Sequence, residues 1–278
     1  SIALIVVISE IIRFGALLYG TRRFVQPHLT IDLSALRNVL RDAFPIAASL
    51  VFILIYFKLD AVLLSLYRTP AEVGFYSLAY KVLELAIYVP ALYIGLVLPE
   101  FARTASRDAL AFRNIFARCW RVLCLSAIPI TFYVAIMAPR IVHFIAGAGY
   151  EVAGTSLRIL ALAIFLIFFG NLGGTTIIAL NLQCHTLWIY GWGAVLNVTG
   201  NLLFMPRYGY LAASWMTVIT ELFVTTAMFV FIIKKIPPGW FTSKSIWAPA
   251  SAGVITALLM YVFRDNLALG TLCAGLYF

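Results

Sequence analysis

Two long apolar runs carry two cations and two carboxylates where hydrocarbon is expected: Lys58 with Asp60 in the first, Lys81 with Glu84 in the second. A charge at the centre of a bilayer costs at least roughly 3 kcal/mol on insertion scales, so each of the four needs a partner, water or a task. Two ammonium groups lining a cavity suit an anion, because lysine binds phosphate as a point charge. The plainer alternative is that the four charges neutralise one another and pin two helices together. No Ser/His/Asp or Cys/His grouping supports covalent chemistry, so the chain reads as a non-enzyme with no catalytic residues and no cofactor.

Further polar residues are scattered through the apolar runs. Glu221 falls near the middle of its run with Thr217 and Thr220 on the same turn, and reads either as a proton-coupling acid or as a neutral core acid. Arg158 sits about one turn inside its run, where it either snorkels to the interface or gates a cavity. Asn171 lies among Gly170, Gly173 and Gly174, a pattern that serves close helix packing or a break, with packing the favoured expectation. Asn197 and Asn201 form an i, i+4 pair of the kind that glues helices together. His28, His143 and His185 are dispersed, and Cys119, Cys124, Cys184 and Cys273 lack zinc spacing, so no metal site is expected.

The elements that must position these residues are membrane helices. The chain is 63% hydrophobic with a mean hydropathy of +1.00, well above a soluble domain. Its charged residues, 11% of the total, cluster between apolar runs, so the net charge of +9 reflects topology and not a nucleic-acid surface. Runs of about 18 residues or more predict spans near 1–20, 44–66, 74–98, 119–138, 155–182, 186–204, 209–233 and 246–264, with an incomplete one from 267. Alternate connections hold twelve of the twenty Lys and Arg, against four in the opposite set, which assigns the richer set to the cytoplasm. Two of those connections, 32–43 and 102–118, have one apolar and one basic face and are expected to lie in the interface. The opposite connections are short. Residues 139–154 contain Gly147, Gly149 and Tyr150 but lack the rest of a phosphate-cradling loop, so a tight surface turn is expected.

Counting inward at 1.5 Å per residue places Lys58, Asp60, Lys81 and Glu84 roughly 9–15 Å from the outer ends of two antiparallel helices. They are therefore expected to meet, on a polar face lining a cavity in the outer half of the bilayer. The chain opens on Ser1 inside an apolar run without a basic leader, and its last run is shorter than a span, so it is expected to be a fragment of a longer transporter.

The run from Pro45 through Asp60 to VGFYSLAYK at 73–81 and on to Pro90 resembles lipid-linked oligosaccharide flippases of the Wzx type. These belong to the multidrug/oligosaccharidyl-lipid/polysaccharide (MOP) exporter superfamily. IAGAGYEVAGTSLRIL at 145–160 and NVTGNLLFMPRYGYLAASWMTVITE at 197–221 fit the same family, with Ala212 standing where relatives usually have Gly. The resemblance implies an all-α, polytopic transmembrane bundle. Residues 1–20 would close a first lobe, 21–43 would be a cytoplasmic amphipathic linker, 44–235 a second six-helix lobe, and 246–278 additional helices. The N-terminal lobe would be missing from this chain. It further implies transport of a polyprenyl-pyrophosphate-linked oligosaccharide from the cytoplasmic to the outer leaflet of a bacterial inner membrane by alternating access. Lys58, Lys81 and Arg158 would meet the substrate, while Asp60, Glu84 and Glu221 would balance charge or exchange H⁺ or Na⁺. A drug/cation antiporter of the same superfamily is the alternative, and a membrane glycosyltransferase or polysaccharide polymerase a more distant one.

Overall fold

The computed structural model describes residues 2–21, 33–240 and, beyond these, 251–253, 255–256, 258 and 261–262. The regular structure of the described residues is all helical, with seven long elements: α1 (Ile2–Thr21), α2 (Leu33–Tyr67), α3 (Pro70–Ala105), α4 (Ala109–Ala146), α5 (Ala153–Ala179), α6 (Gln183–Tyr208) and α7 (Tyr210–Ile232). Of the predicted linker at 21–43, residues 22–32 lie outside them, as does the run from 267. Only fragments of the span expected at 246–264 are described, the helical residues 251–253 among them.

The chain forms two compact units, residues 1–43 and 44–278. In the first, α1 is a 20-residue apolar helix whose charged pair, Glu10 and Arg13, bridges one turn at 2.7 Å. In the second, six long helices pack from Phe44 onward among the described residues, and five stretches of the described residues are long and apolar enough to cross a membrane: 39–67, which begins in the first unit, α3, α4, α5 and α7. α6 is long enough but more polar, since it buries Asn197 and Asn201. It packs on α7 as a helical hairpin through the single residue Gly209, at φ +56°, a left-handed conformation that glycine adopts without strain.

The helices are longer than the sequence pattern suggests. α3 and α4 have 36 and 38 residues, about 55 Å each against roughly 30 Å of hydrocarbon. The segments expected as separate interfacial helices are instead continuations of the spans: 33–43 runs unbroken into α2, and only residues 106–108 separate α3 from α4. The reason is local. Asp108 accepts from the backbone N–H groups of Leu110 and Ala111 at 3.0 and 2.9 Å, so a new helix nucleates at once and the turn stays short. At the other end, α4 extends to Ala146, and Gly147 (φ +77°) stops it, leaving a turn shorter than 139–154.

α5 is the hub, packed on α3, α4 and α7. It is a continuous helix despite its glycines. A Cβ added at Gly173 would meet Met228 Cβ at 3.0 Å, and one at Gly170 would meet Thr225 Oγ1 at 3.1 Å, so the bare backbone lets α7 approach, as the packing reading expected.

Candidate functional site

Lys58 and Asp60 stand two residues apart on α2, which turns their side chains about 200° from one another. They consequently enter different environments. Lys58 Nζ pairs with Glu84 Oε1 across the α2–α3 contact, and Lys81 Nζ reaches Glu84 Oε2 at 3.2 Å from one turn away. The lysine side chains are 56% and 75% exposed and that of Glu84 25%, so the group sits on an open face of the bundle. Tyr80 lies beneath Lys58, with Nζ 5.7 Å from the ring centroid. Two ammonium groups sharing one carboxylate leave this face with one positive charge in excess.

Asp60 is fully buried on the other side of α2 and joins no ion pair with the lysines. Its Oδ2 accepts from the Tyr76 hydroxyl at 2.9 Å and lies 3.1 Å from Thr217 Oγ1, while Oδ1 accepts from Asn201 Nδ2 at 2.8 Å. Asn201 also donates to Asn197 Oδ1 at 3.2 Å. These contacts tie α2, α3, α6 and α7 together, and they show the Asn pair acting as interhelical glue. The expected cluster of four charges is therefore a cluster of three, with neutral donors taking the place of a cation at Asp60.

The layer around Asp60 lies about seven residues from the outer helix ends. With the Ser156–Ser214 hydroxyl pair at 2.6 Å, it makes the outer part of the bundle a packed core, not the cavity expected there. The cavity lies on the other side of the Asp60 layer, from the middle of the bundle toward its opposite end. It has a volume of about 540 Å³ and is bounded by the middle parts of α2, α3 and α7, the N-terminal half of α6 and the C-terminal half of α5. Apolar residues dominate its wall, interrupted by Tyr56, Glu84, Asn171, Tyr190 and Glu221. Glu221 is 3% exposed, its Oε1 has no hydrogen-bond partner, and the Tyr56 hydroxyl is a neighbour on α2. Asn171 donates to the Ile167 carbonyl at 2.9 Å, which leaves its own carbonyl oxygen as an acceptor at the cavity wall. Glu84 is shared, meeting the lysines on one side and lining the cavity on the other.

Arg158 is exposed near the outer end of α5 and does not line the cavity. Sequence reasoning missed the tyrosines. The signal was present as spacing: Tyr56 precedes Asp60 by one turn, and Tyr76, Tyr80 and Glu84 follow one another at i+4. Cys119 and Cys124 are buried free thiols and Cys184 an exposed one. Among the described residues no set of His, Cys, Asp and Glu could hold a metal ion.

Residues 1–105 match the family model of polysaccharide biosynthesis proteins. A comparison with curated protein sequences returned no match. Among solved structures, the chain is similar to the lipid II flippase MurJ in an inward closed conformation, with a TM-score of 0.73 at 13% identity over 92% of this chain and 56% of that one. It is similar to a MOP superfamily transporter from Pyrococcus furiosus, described as having a binding pocket of reverse polarity, at 0.62 and 17% over 81% and 53%. It also matches an outward-facing multidrug resistance MATE family transporter of that superfamily at 0.62 and 18%, with the same coverage. The chain spans about half the length of the solved structures it matches. It is a multi-pass membrane protein with the helical fold of the MOP-superfamily transporters, and its residues 1–105 carry the pattern of the polysaccharide biosynthesis proteins.

Proposed function

We propose that the protein is a flippase that carries a polyprenyl-pyrophosphate-linked oligosaccharide from the cytoplasmic to the outer leaflet of a bacterial inner membrane. Residues 44–235 are the second of its two lobes, 1–20 end the first, and 21–43 link them. The observation that carries this reading is the sharing of Glu84 by Lys58 and Lys81 on an exposed face within the membrane. A pyrophosphate approaching that face offers each ammonium a charge-assisted hydrogen bond without stripping it of a counter-charge first. Glu84 then holds the lysines in place when no substrate is bound, and its partial release is the step that substrate binding drives. Asp60 is the coupling-ion candidate. It is the acid whose occupancy by H⁺ or Na⁺ would rearrange four helices at once, because its partners come from α3, α6 and α7.

The test is glycan export by the full-length protein in which both lysines are changed to alanine. Loss of export with normal membrane insertion is expected. Wild-type export by that variant would sink the proposal.

A further inference from the structure

The cavity bounded by Tyr56, Asn171, Tyr190 and Glu221 is not used by the pyrophosphate reading, yet it begins where the lysine cluster ends, at Glu84. Its composition is selective. Glu221 Oε1, buried and without a partner, leaves an open hydrogen-bonding position at the wall, where a carboxyl oxygen accepts from a hydroxyl or amide and a protonated one also donates. The Asn171 carbonyl adds a second acceptor, and the Tyr56 and Tyr190 rings stack 6.3 Å apart beside them. A pyranose has that complement: hydroxyl or amide donors around its edge and apolar C–H faces that lie against aromatic rings. The volume of about 540 Å³ falls within the roughly 300–1,000 Å³ of organic-ligand pockets. That is many times the ~30 Å³ a water occupies, so a bare ion would leave most of it empty.

Gly174 keeps the cavity wall low. A Cβ there would stand 3.6 Å from the Tyr190 hydroxyl and 3.8 Å from Met228 Cε, in ordinary contact, so alanine fits the backbone and a longer side chain would have to fill the void.

We infer that this cavity holds the first sugar of the lipid-linked glycan, with Glu221 and Asn171 accepting from its hydroxyl or amide donors and Tyr56 and Tyr190 lying against its ring. The inference rests on the flippase reading and adds to it a sugar subsite adjoining the pyrophosphate. It places the headgroup on the cytoplasmic side of the Asp60 layer, where loading would occur.

The experiment measures binding to the full-length protein in lipid nanodiscs. The probes are farnesyl pyrophosphate, the same lipid bearing N-acetylglucosamine, glucose or galactose, and tetraphenylphosphonium as an organic cation. At least one glycosylated probe should bind about ten-fold more tightly than farnesyl pyrophosphate. That increment should fall to within about two-fold in Glu221→Leu and in Gly174→Leu. Should Glu221→Leu fail to elute as a monodisperse protein, Gly174→Leu and Asn171→Leu carry the same test. Equal binding of all four lipid probes to the wild type overturns the sugar subsite and leaves the lysine reading intact. Glu221-dependent binding of tetraphenylphosphonium with no sugar increment also overturns it, in favour of a cation pocket. If the double lysine variant keeps its affinity for farnesyl pyrophosphate while the sugar increment persists, the pyrophosphate reading fails and the sugar subsite stands.

Discussion

Asp60 and Glu84 are carboxylates on adjacent membrane helices, and the bundle treats them in opposite ways. Asp60 is buried to zero exposure and held by neutral donors from three other helices. Glu84 stays partly exposed and is held by two lysines whose own side chains are mostly open. Burying a charge among fixed dipoles demands a set of donors in good geometry, and any change of charge there disturbs everything that donates to it. An exposed ion pair is weakly held and can trade partners. The first arrangement suits a residue whose occupancy is sensed by the whole lobe, and the second suits a contact that substrate replaces.

The largest effect that would break this comparison is expected at Asp60. Asp60→Leu removes the acceptor of Tyr76 and Asn201, leaving the Tyr76 hydroxyl only Thr217 Oγ1 at 3.3 Å and Asn201 Nδ2 only Asn197 Oδ1 at 3.2 Å, while Thr217 can turn to the Ala213 carbonyl 3.0 Å away. Losing the buried hydrogen bonds to the carboxylate should cost about 2–3 kcal/mol. Asp60→Asn, which keeps a carbonyl acceptor, should cost less. Chemical unfolding of the full-length protein in detergent checks both. If Asp60→Leu proves no worse than Glu84→Gln, the two carboxylates are not differently held.

The next effect tests whether that rigidity continues along the α5–α7 seam. Gly173→Leu would drive a side chain into Met228 Cβ, 3.0 Å from where the new Cβ must lie, and overpacking of that kind costs about 1–3 kcal/mol. Gly174→Ala, with its nearest neighbour at 3.6 Å, should be close to neutral in the same unfolding assay. Equal behaviour of the two glycines would mean the seam relaxes freely.

Much of this was readable from residue order, and the failures have physical causes. The apolar runs located every described helix, because twenty apolar residues in a row have few destinies other than a span. Helix ends were missed where a basic amphipathic stretch continued a span. Periodicity reports the face a helix presents and not whether the helix began earlier, so 33–43 looked separate from α2. The triad of Lys58, Lys81 and Glu84 followed from depth counting. Asp60 was grouped with it wrongly because depth was used without azimuth; the two-residue offset from Lys58 already sends them apart. The cavity was the least legible feature. Its wall is drawn from five helices, and which half of a bundle packs tightly is decided by tertiary contacts such as Ser156 with Ser214, more than fifty residues away in the chain.

A smaller effect sharpens the comparison from the other carboxylate. Glu84→Gln removes the charge that both lysines share, in a pair exposed enough that stability should change by no more than about 1 kcal/mol. Its effect should appear in binding. Two uncompensated ammonium groups should hold farnesyl pyrophosphate more tightly and release it more slowly, so affinity rises while export falls. Weaker binding would mean that Glu84 is needed to orient the lysines and not to compete for them.

The smallest effect is expected at Arg158, the third cation assigned to substrate by resemblance. It is exposed near the outer end of α5, on the far side of the packed Asp60 layer from the cavity. Arg158→Ala should therefore leave both unfolding stability and farnesyl pyrophosphate affinity within experimental scatter of the wild type. Export rate is the measurement that discriminates, because a cation at the outer end can meet the pyrophosphate only after the lobe has reoriented. A lowered rate with unchanged affinity would make Arg158 an exit contact. A lowered affinity would extend the loading site through the layer around Asp60, and the division between a packed outer part and the open part beyond it would have to be abandoned.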